Sequence, residues 1–444
     1  MPFRFRRSIS VLILGVFFTL TLKPSQAFSL SVEEQKRLGE ELFLKLKSEV
    51  RFVDDPLINL YVRGIGRKIV EVSGDRRFVY RFYVIEGSQP NAFTIPGGYV
   101  FVNTALLNLV NSEDELAGVL AHEISHSVLD HVSRMFDQAK RISLGTLAAF
   151  VAALLLTKDT KAQQTLMIGA SALGESLLLK YSRDNEFEAD QLGFDLLCKA
   201  GWNPYGFVSF MRKMDRWSKN VSVESPTYLS THPVITERIA YLESRCERKT
   251  LSESPSFKRI KSRLKLLERR SEKEECKMDP YFCALSLVRK GEKERALEIV
   301  DNLLKESPDD PYLLREKALI LISLNRFKEG ETELREALKA FPGDRELLIR
   351  MVNRLSEEGK VFEAIALLEQ SIQKVPEESY FHQLLGELLL KAKREGEAYE
   401  QFGLYFLQVG DKKSALRHFQ KALELSEGER KERLEKRIKE LESS

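Results

Sequence analysis

His122-Glu123-Ile124-Ser125-His126 sets two histidines four residues apart with a glutamate beside the first. On a helix, residues four apart share a face, so both imidazoles can reach one metal ion, the spacing of a zinc site. Glu123 is placed to take a proton from a water that such an ion activates. A catalytic zinc needs a third protein ligand and one open position. The segment Tyr181-Ser182-Arg183-Asp184-Asn185-Glu186-Phe187-Glu188-Ala189-Asp190 offers carboxylates on a helix expected to start near Asp184. Glu186 and Asp190 share a face and Glu188 points elsewhere. One of the pair can bind metal while the other orients a ligand histidine; spacing does not say which.

Two further histidines lie nearby in the sequence. His131 is nine residues past His122, half a turn round a continuing helix, and is expected at the surface. His232, in Ser230-Thr231-His232-Pro233, has three readings: an oxyanion stabiliser, an extra zinc ligand, or the cap of a helix beginning near Pro233.

The elements that must position these groups follow from patterning. Ser31 with Glu34 opens a first amphipathic helix, and Asp55-Pro56 a second that carries Leu57, Leu60, Tyr61, Ile65 and Ile69. Phe78, Tyr80, Phe82 and Val84 alternate as in a strand. Pro96-Gly97-Gly98 turns the chain into a strand at Tyr99–Asn103, whose backbone from Gly98 through Tyr99, Val100 and Phe101 is expected to pair with an extended substrate. Ser112 and Glu115 start the helix bearing residues 122–133. The apolar stretches Leu144–Leu156 and Leu166–Leu179 are too short to span a membrane and read as a buried hairpin, or else as a lid or peripheral membrane contact.

Beyond residue 278 the composition turns to Leu, Ala, Glu and Lys with a fixed period. Pro308, Pro342 and Pro376 are 34 residues apart, as are Ala296, Gly330, Ala364 and Ala398. That is the length of a tetratricopeptide repeat. Ala284, Ala318 and Gly386 fall where paired helices approach, and Val352 breaks that series, so looser packing is expected in the third unit. The expected fold is α+β and mostly α: a zincin-type domain with a small sheet at 28–250, a charged, solvated helical linker at 251–278, a helical repeat solenoid at 279–426 ending in a capping helix, and a charged, solvated helical tail at 427–444.

The 69 basic and 66 acidic side chains give +3, but four of the cations (Arg4, Arg6, Arg7, Lys23) lie in an acid-free stretch of 27 residues, and without them the charge is −1. No basic field exists to draw in nucleic acid. Those 27 residues have the basic start, apolar run (Ile9 to Leu22) and small residues (Ser25, Ala27) of a cleaved export signal. Cys198, Cys246, Cys276 and Cys283 would then meet an oxidising compartment, with Cys276–Cys283 and Cys198–Cys246 the favoured pairs.

H-E-x-x-H, Tyr181-Ser182-Arg183 leading to Glu186 and Asp190, and His232-Pro233 with Arg238 together resemble the zinc endopeptidases related to HtpX and the CAAX prenyl endopeptidase. Asn91-Ala92-Phe93 and Pro96-Gly97-Gly98-Tyr99 match the strand that precedes the helix in that family. The export signal and repeats narrow the resemblance to its periplasmic members that act in outer-membrane assembly. The resemblance implies one zinc per chain on His122, His126 and Glu186, Glu123 as general base, and Asp190 holding a ligand histidine. It also implies that His232 can fill the open zinc position and suppress activity, and that Arg238 lies near the site. Implied substrates are misfolded or stalled outer-membrane proteins, with the repeats recruiting the assembly machinery. The cysteines do not fall where the family's interdomain disulfide would place them. The alternative is a chaperone-like adaptor or scaffold with a mostly silent protease site.

Overall fold

The computed structural model describes residues 30–138, 143–148, 151, 181–219, 227–233, 236–246, 250–251, 254–268, 272–376 and 378–443. The export signal, all of the second apolar stretch and residues 149–150 and 152–156 of the first lie outside these residues. Among the described residues no helix is long and apolar enough to cross a membrane.

Two amphipathic helices come first, α1 (Val32–Glu49) and α2 (Pro56–Ser73). Ser31 and Glu34 form a complete capping box on α1, and Asp55 caps α2 ahead of Pro56. Three strands follow, β1 (Arg81–Ile85), β2 (Ala92–Ile95) and β3 (Tyr99–Asn103), in the order β1-β3-β2. β3 is parallel to β1, with Arg81 opposite Tyr99, and antiparallel to β2, with Ala92 opposite Val102. Gly97 and Gly98 take φ of 82° and 81° in the hairpin turn, a region that a side chain would strain.

This order corrects one expectation. The strand Tyr99–Asn103 is central and buried along its whole length, so Gly98, Tyr99, Val100 and Phe101 have no free edge for a substrate. The sequence marks a strand but not its neighbours. The edge beside the chemistry belongs to β2.

After α3 (Thr104–Leu109) comes α4 (Glu113–Val128), buried from Asp114 to Ser127 against α2, β2 and two later helices. α5 (His131–Gln138) follows a break at Leu129 and Asp130, where Asp130 has φ of 57°. α6 (Arg183–Ala200) starts on a Ser182 cap and α7 (Tyr205–Ser218) completes the wall. Gly193 lets α6 lie directly on α4: a Cβ there would stand 3.3 Å from the Ala121 carbonyl carbon. Short α8 (Thr227–Thr231) and α9 (Thr236–Arg245) close the first part.

α10 (Pro255–Leu267) lies in the region expected as a solvated linker, and is docked instead. Its apolar stripe Phe257, Ile260 and Leu264 is buried, and Lys261 Nζ donates to the carbonyls of Leu107 (3.0 Å), Asn108 (2.6 Å) and Val110 (3.0 Å) at the end of α3. Arg263, mostly shielded from solvent, pairs with Asp55 (2.8 Å) and Glu316 (2.7 Å), tying α10 to the cap of α2 and to the repeats. α11 (Glu272–Met278) leads into four helix pairs: α12 (Pro280–Lys290) with α13 (Lys293–Glu306), α14 (Pro311–Ser323) with α15 (Phe327–Ala340), α16 (Arg345–Glu357) with α17 (Val361–Lys374), and α18 (Ser379–Lys391) with α19 (Glu395–Gln408).

Pro308, Pro342 and Pro376 each sit in a turn between pairs, and Ala296, Ala364 and Ala398 are fully buried. At the unit where Val352 replaces a small residue, a groove of about 610 Å³ opens among α15, α16 and α17. α20 (Lys412–Glu424) is covered by α21 (Gly428–Ser443), which buries Leu434 and Ile438 against it, so the final charged segment is a docked cap and not a solvated tail. None of the four cysteines forms a disulfide, so the expected pairs are unmade, and Cys246 Sγ turns back to the Leu242 carbonyl (3.4 Å).

Candidate metal centre

α4 carries His122, Glu123 and His126, α6 carries Glu186 and Asp190, and His232 follows α8. The close contact at Gly193 is what presses the Glu186–Asp190 face onto the histidines. His122, His126, Glu186 and His232 each present one ligand atom, all within 4.8 Å of one another, and all four side chains are buried. His126 Nε2 lies 3.1 Å from His122 Nε2, which lies 3.3 Å from His232 Nδ1. Glu186 Oε1 is 3.0 Å from His232 Nδ1 and 3.4 Å from His126 Nε2. Ligands held about 2.0 Å from a tetrahedral ion stand roughly 3.3 Å apart, so the cluster has the span of one metal.

The donor set fits a divalent cation chemically as well. Three sealed carboxylates, Glu123, Glu186 and Asp190, face a single buried guanidinium, Arg238. Glu123 Oε1 and His232 Nε2 are buried without a hydrogen-bond partner, 3.4 Å apart. Surplus negative charge is costly in a protein interior, and a cation removes that cost.

Each member is held from behind. Asp190 Oδ1 is 3.0 Å from His122 Nδ1, and Arg238 grips Asp190 through Nε (2.6 Å) and a terminal nitrogen (2.7 Å). The same guanidinium contacts Glu186 and donates to the Pro233 carbonyl (2.7 Å), beside His232. Thr94 on β2 donates to the Glu123 carbonyl (3.2 Å). Aromatic rings cover the imidazoles: Tyr181 stacks on His126 at 3.6 Å, and Tyr228 on His232 at 4.7 Å.

In the metal-free chain these surroundings move the titrating groups apart. Burial pushes the Glu123 carboxyl up, opposed by His232 and His122. Burial acts the same way on Glu186, but His232 and Arg238 outweigh it and hold that carboxyl well below its usual range. Burial drives His126 well down; on His232 burial is overcome by Glu123 and Glu186, and its affinity for a proton rises.

His131 departs from its expected surface position. It is fully buried, with Nδ1 3.1 Å from His126 Nδ1 and Nε2 2.9 Å from Glu188 Oε2. Counting 100° per residue assumes an unbroken helix, and the left-handed turn at Asp130 swings His131 back beneath the site. Arg77 fixes that turn, gripping Asp130 (2.8 Å) and the Ser127 and Val128 carbonyls at the end of α4. No sequence pattern marked Thr94 or Tyr228 for this neighbourhood. β2 lines a cleft of only about 30 Å³ with Met135, Phe136, Val151, Tyr181 and His232.

The fold and site define a metallopeptidase domain followed by tetratricopeptide repeats. Residues 56–246 match the model of peptidase family M48, and residues 284–345 a tetratricopeptide repeat model. The chain thus carries an M48 metallopeptidase domain. It is 29% identical over 222 residues to the beta-barrel assembly-enhancing protease of Yersinia pestis, covering 50% of this chain and 46% of that one. It is 26% identical over 379 residues to a putative beta-barrel assembly-enhancing protease of Vibrio cholerae, covering 81% and 78%. The mitochondrial metalloendopeptidase OMA1 of Schizosaccharomyces pombe is 32% identical over 218 residues, covering 48% and 61%. The match therefore spans about half of the Yersinia protein and more of the Vibrio one.

Proposed function

We propose that this chain is a periplasmic zinc endopeptidase that cleaves misfolded or stalled outer-membrane proteins, and that His232 holds it silent until a partner or substrate opens the site. The observation that carries this reading is the convergence of His122, His126, Glu186 and His232 on one buried point, with Glu123 beside them. His122 Nε2, His126 Nε2 and Glu186 Oε1 would hold the zinc, with His232 Nδ1 in the fourth position. Bound zinc supplies Lewis acidity, polarising a scissile carbonyl and lowering the pKa of an attacking water towards about 7.

The chain's own residues do the rest. Glu123 takes the proton of the attacking water at its unpartnered Oε1 and returns it to the leaving amine nitrogen. Thr94 anchors the Glu123 backbone, while Asp190 and Arg238 keep His122 and Glu186 in register. The outer edge of β2, Ala92–Ile95, pairs with an extended substrate through backbone groups that are indifferent to its sequence. That suits unfolded polypeptide. A cleft of about 30 Å³ admits no peptide, so His232 and its neighbours must move first. The relatives named for beta-barrel assembly support the substrate class, and the repeats offer a surface for the assembly machinery.

Incubating the full chain with an unfolded outer-membrane barrel protein tests this. Cleavage should stop on chelation, return with zinc, and quicken in His232→Ala. Cleavage that ignores chelation would refute the metal reading, and slower cleavage by His232→Ala would make His232 an oxyanion stabiliser. The closed cleft also favours a second reading, an adaptor with a mostly silent site. Rescue of envelope assembly by Glu123→Gln as complete as by wild type would select it.

A further inference from the structure

We infer that His131 and Glu188 form a relay that positions the metal ligand His126 and fixes which of its nitrogens is free to bind. This rests on the metal-site reading above. His126 Nδ1 and His131 Nδ1 stand 3.1 Å apart, and His131 Nε2 and Glu188 Oε2 2.9 Å apart. Glu188, 59% exposed, cannot donate a proton as a carboxylate, so His131 carries its proton on Nε2 and accepts at Nδ1. His126 must then carry its own proton on Nδ1. That leaves the lone pair of His126 Nε2 aimed at His122 Nε2 and Glu186, where the ion would sit. Any other assignment breaks one of the two hydrogen bonds or points a proton into the cluster. Tyr181, stacked on His126 with its plane tilted by 18°, blocks rotation of the ring.

The two α4 histidines are thus supported differently. His122 has a buried carboxylate behind it, Asp190, clamped by Arg238. His126 has an imidazole behind it, and the carboxylate that finishes the chain is at the surface of α6. The Arg77 clamp on Asp130 exists to hold His131 in that place: it fixes the one turn that brings α5 beneath the end of α4.

Zinc affinity of the purified full chain, measured by competition with a chromophoric chelator, tests the relay. Outer partners of metal-bound histidines are worth about 10- to 100-fold in affinity, and His131→Phe should lose that much. His131→Asn, whose amide oxygen can stand where Nδ1 stood, should recover most of it. Glu188→Ala should weaken zinc binding several-fold in the wild-type background and not at all in His131→Asn, because asparagine does not reach Glu188. A merely structural role predicts no such dependence on background. Equal affinity of His131→Phe and wild type, or an equal effect of Glu188→Ala in both backgrounds, would overturn the relay while leaving the metal site standing. If His131→Phe does not fold, the two Glu188→Ala comparisons decide alone. Wild-type protein that binds no zinc would overturn both the relay and the metal-site reading.

Discussion

The metal centre and the repeat array bury their side chains for opposite reasons. At the centre, fully buried histidines and carboxylates from residues 122, 186 and 232 are brought together over long stretches of chain. In the array the buried set is mostly aliphatic and aromatic, with a buried ion-pair group of Arg315, Glu316 and Asp344 as its polar exception, and each unit packs on its neighbours in sequence. Polar burial is costly unless every group is answered, so the centre is surrounded by residues that hold its members: Asp190, Arg238, Thr94, Tyr181 and His131. The array rests chiefly on apolar residues that recur at the right period. The first region is fixed in chemistry and the second in geometry.

Breaking the centre should therefore cost function before stability, and breaking the array the reverse. The largest effect is expected from His126→Ala: bound zinc and proteolysis are both lost, while calorimetry of the metal-free protein shows little change. Next comes Arg263→Met at the joint between the two regions. It leaves Asp55 to the backbone N–H groups of its helix cap and Glu316 to Arg315, so breaking this largely buried pair should cost about 3 kcal/mol by denaturant unfolding, the low end for such a loss. Zinc affinity should hold, because Arg263 touches none of the site. Leu434→Ala on α21 should cost about 2 kcal/mol, at the low end for a buried leucine because a terminal helix can settle, with fraying confined to α20 and α21 in hydrogen exchange.

A smaller and pH-dependent effect is expected at Asp75. Burial raises its carboxyl, but hydrogen bonds from Arg77 and Tyr80 outweigh that and hold it below its usual value. A folded pKa below the unfolded one means that the contribution is present above about pH 4 and fades as pH falls through the folded value. Asp75→Asn should therefore lower the melting temperature at pH 7 and converge with wild type in acid.

The two regions were unequally legible in the sequence. H-E-x-x-H and the 34-residue period survive as spacings, because a helix face and a repeat are both periodic. Strand order is not periodic, and nothing in Tyr99–Asn103 says that β1 and β2 occupy both of its edges. His131 was misplaced by a single residue, Asp130, whose left-handed turn ends the helical count. Charge hid the rest: Phe257, Ile260 and Leu264 on α10, and Leu434 and Ile438 on α21, are narrow apolar stripes inside segments that composition marks as solvated.

In the proposed reaction Glu123 performs proton transfer at a metal that it does not itself hold. Glu123→Gln, loaded with zinc and assayed on an unfolded barrel protein, tests it most directly. The variant should bind one zinc per chain, as wild type does, with cleavage reduced by about 10²- to 10⁴-fold. Wild-type cleavage by a fully zinc-loaded Glu123→Gln would contradict it.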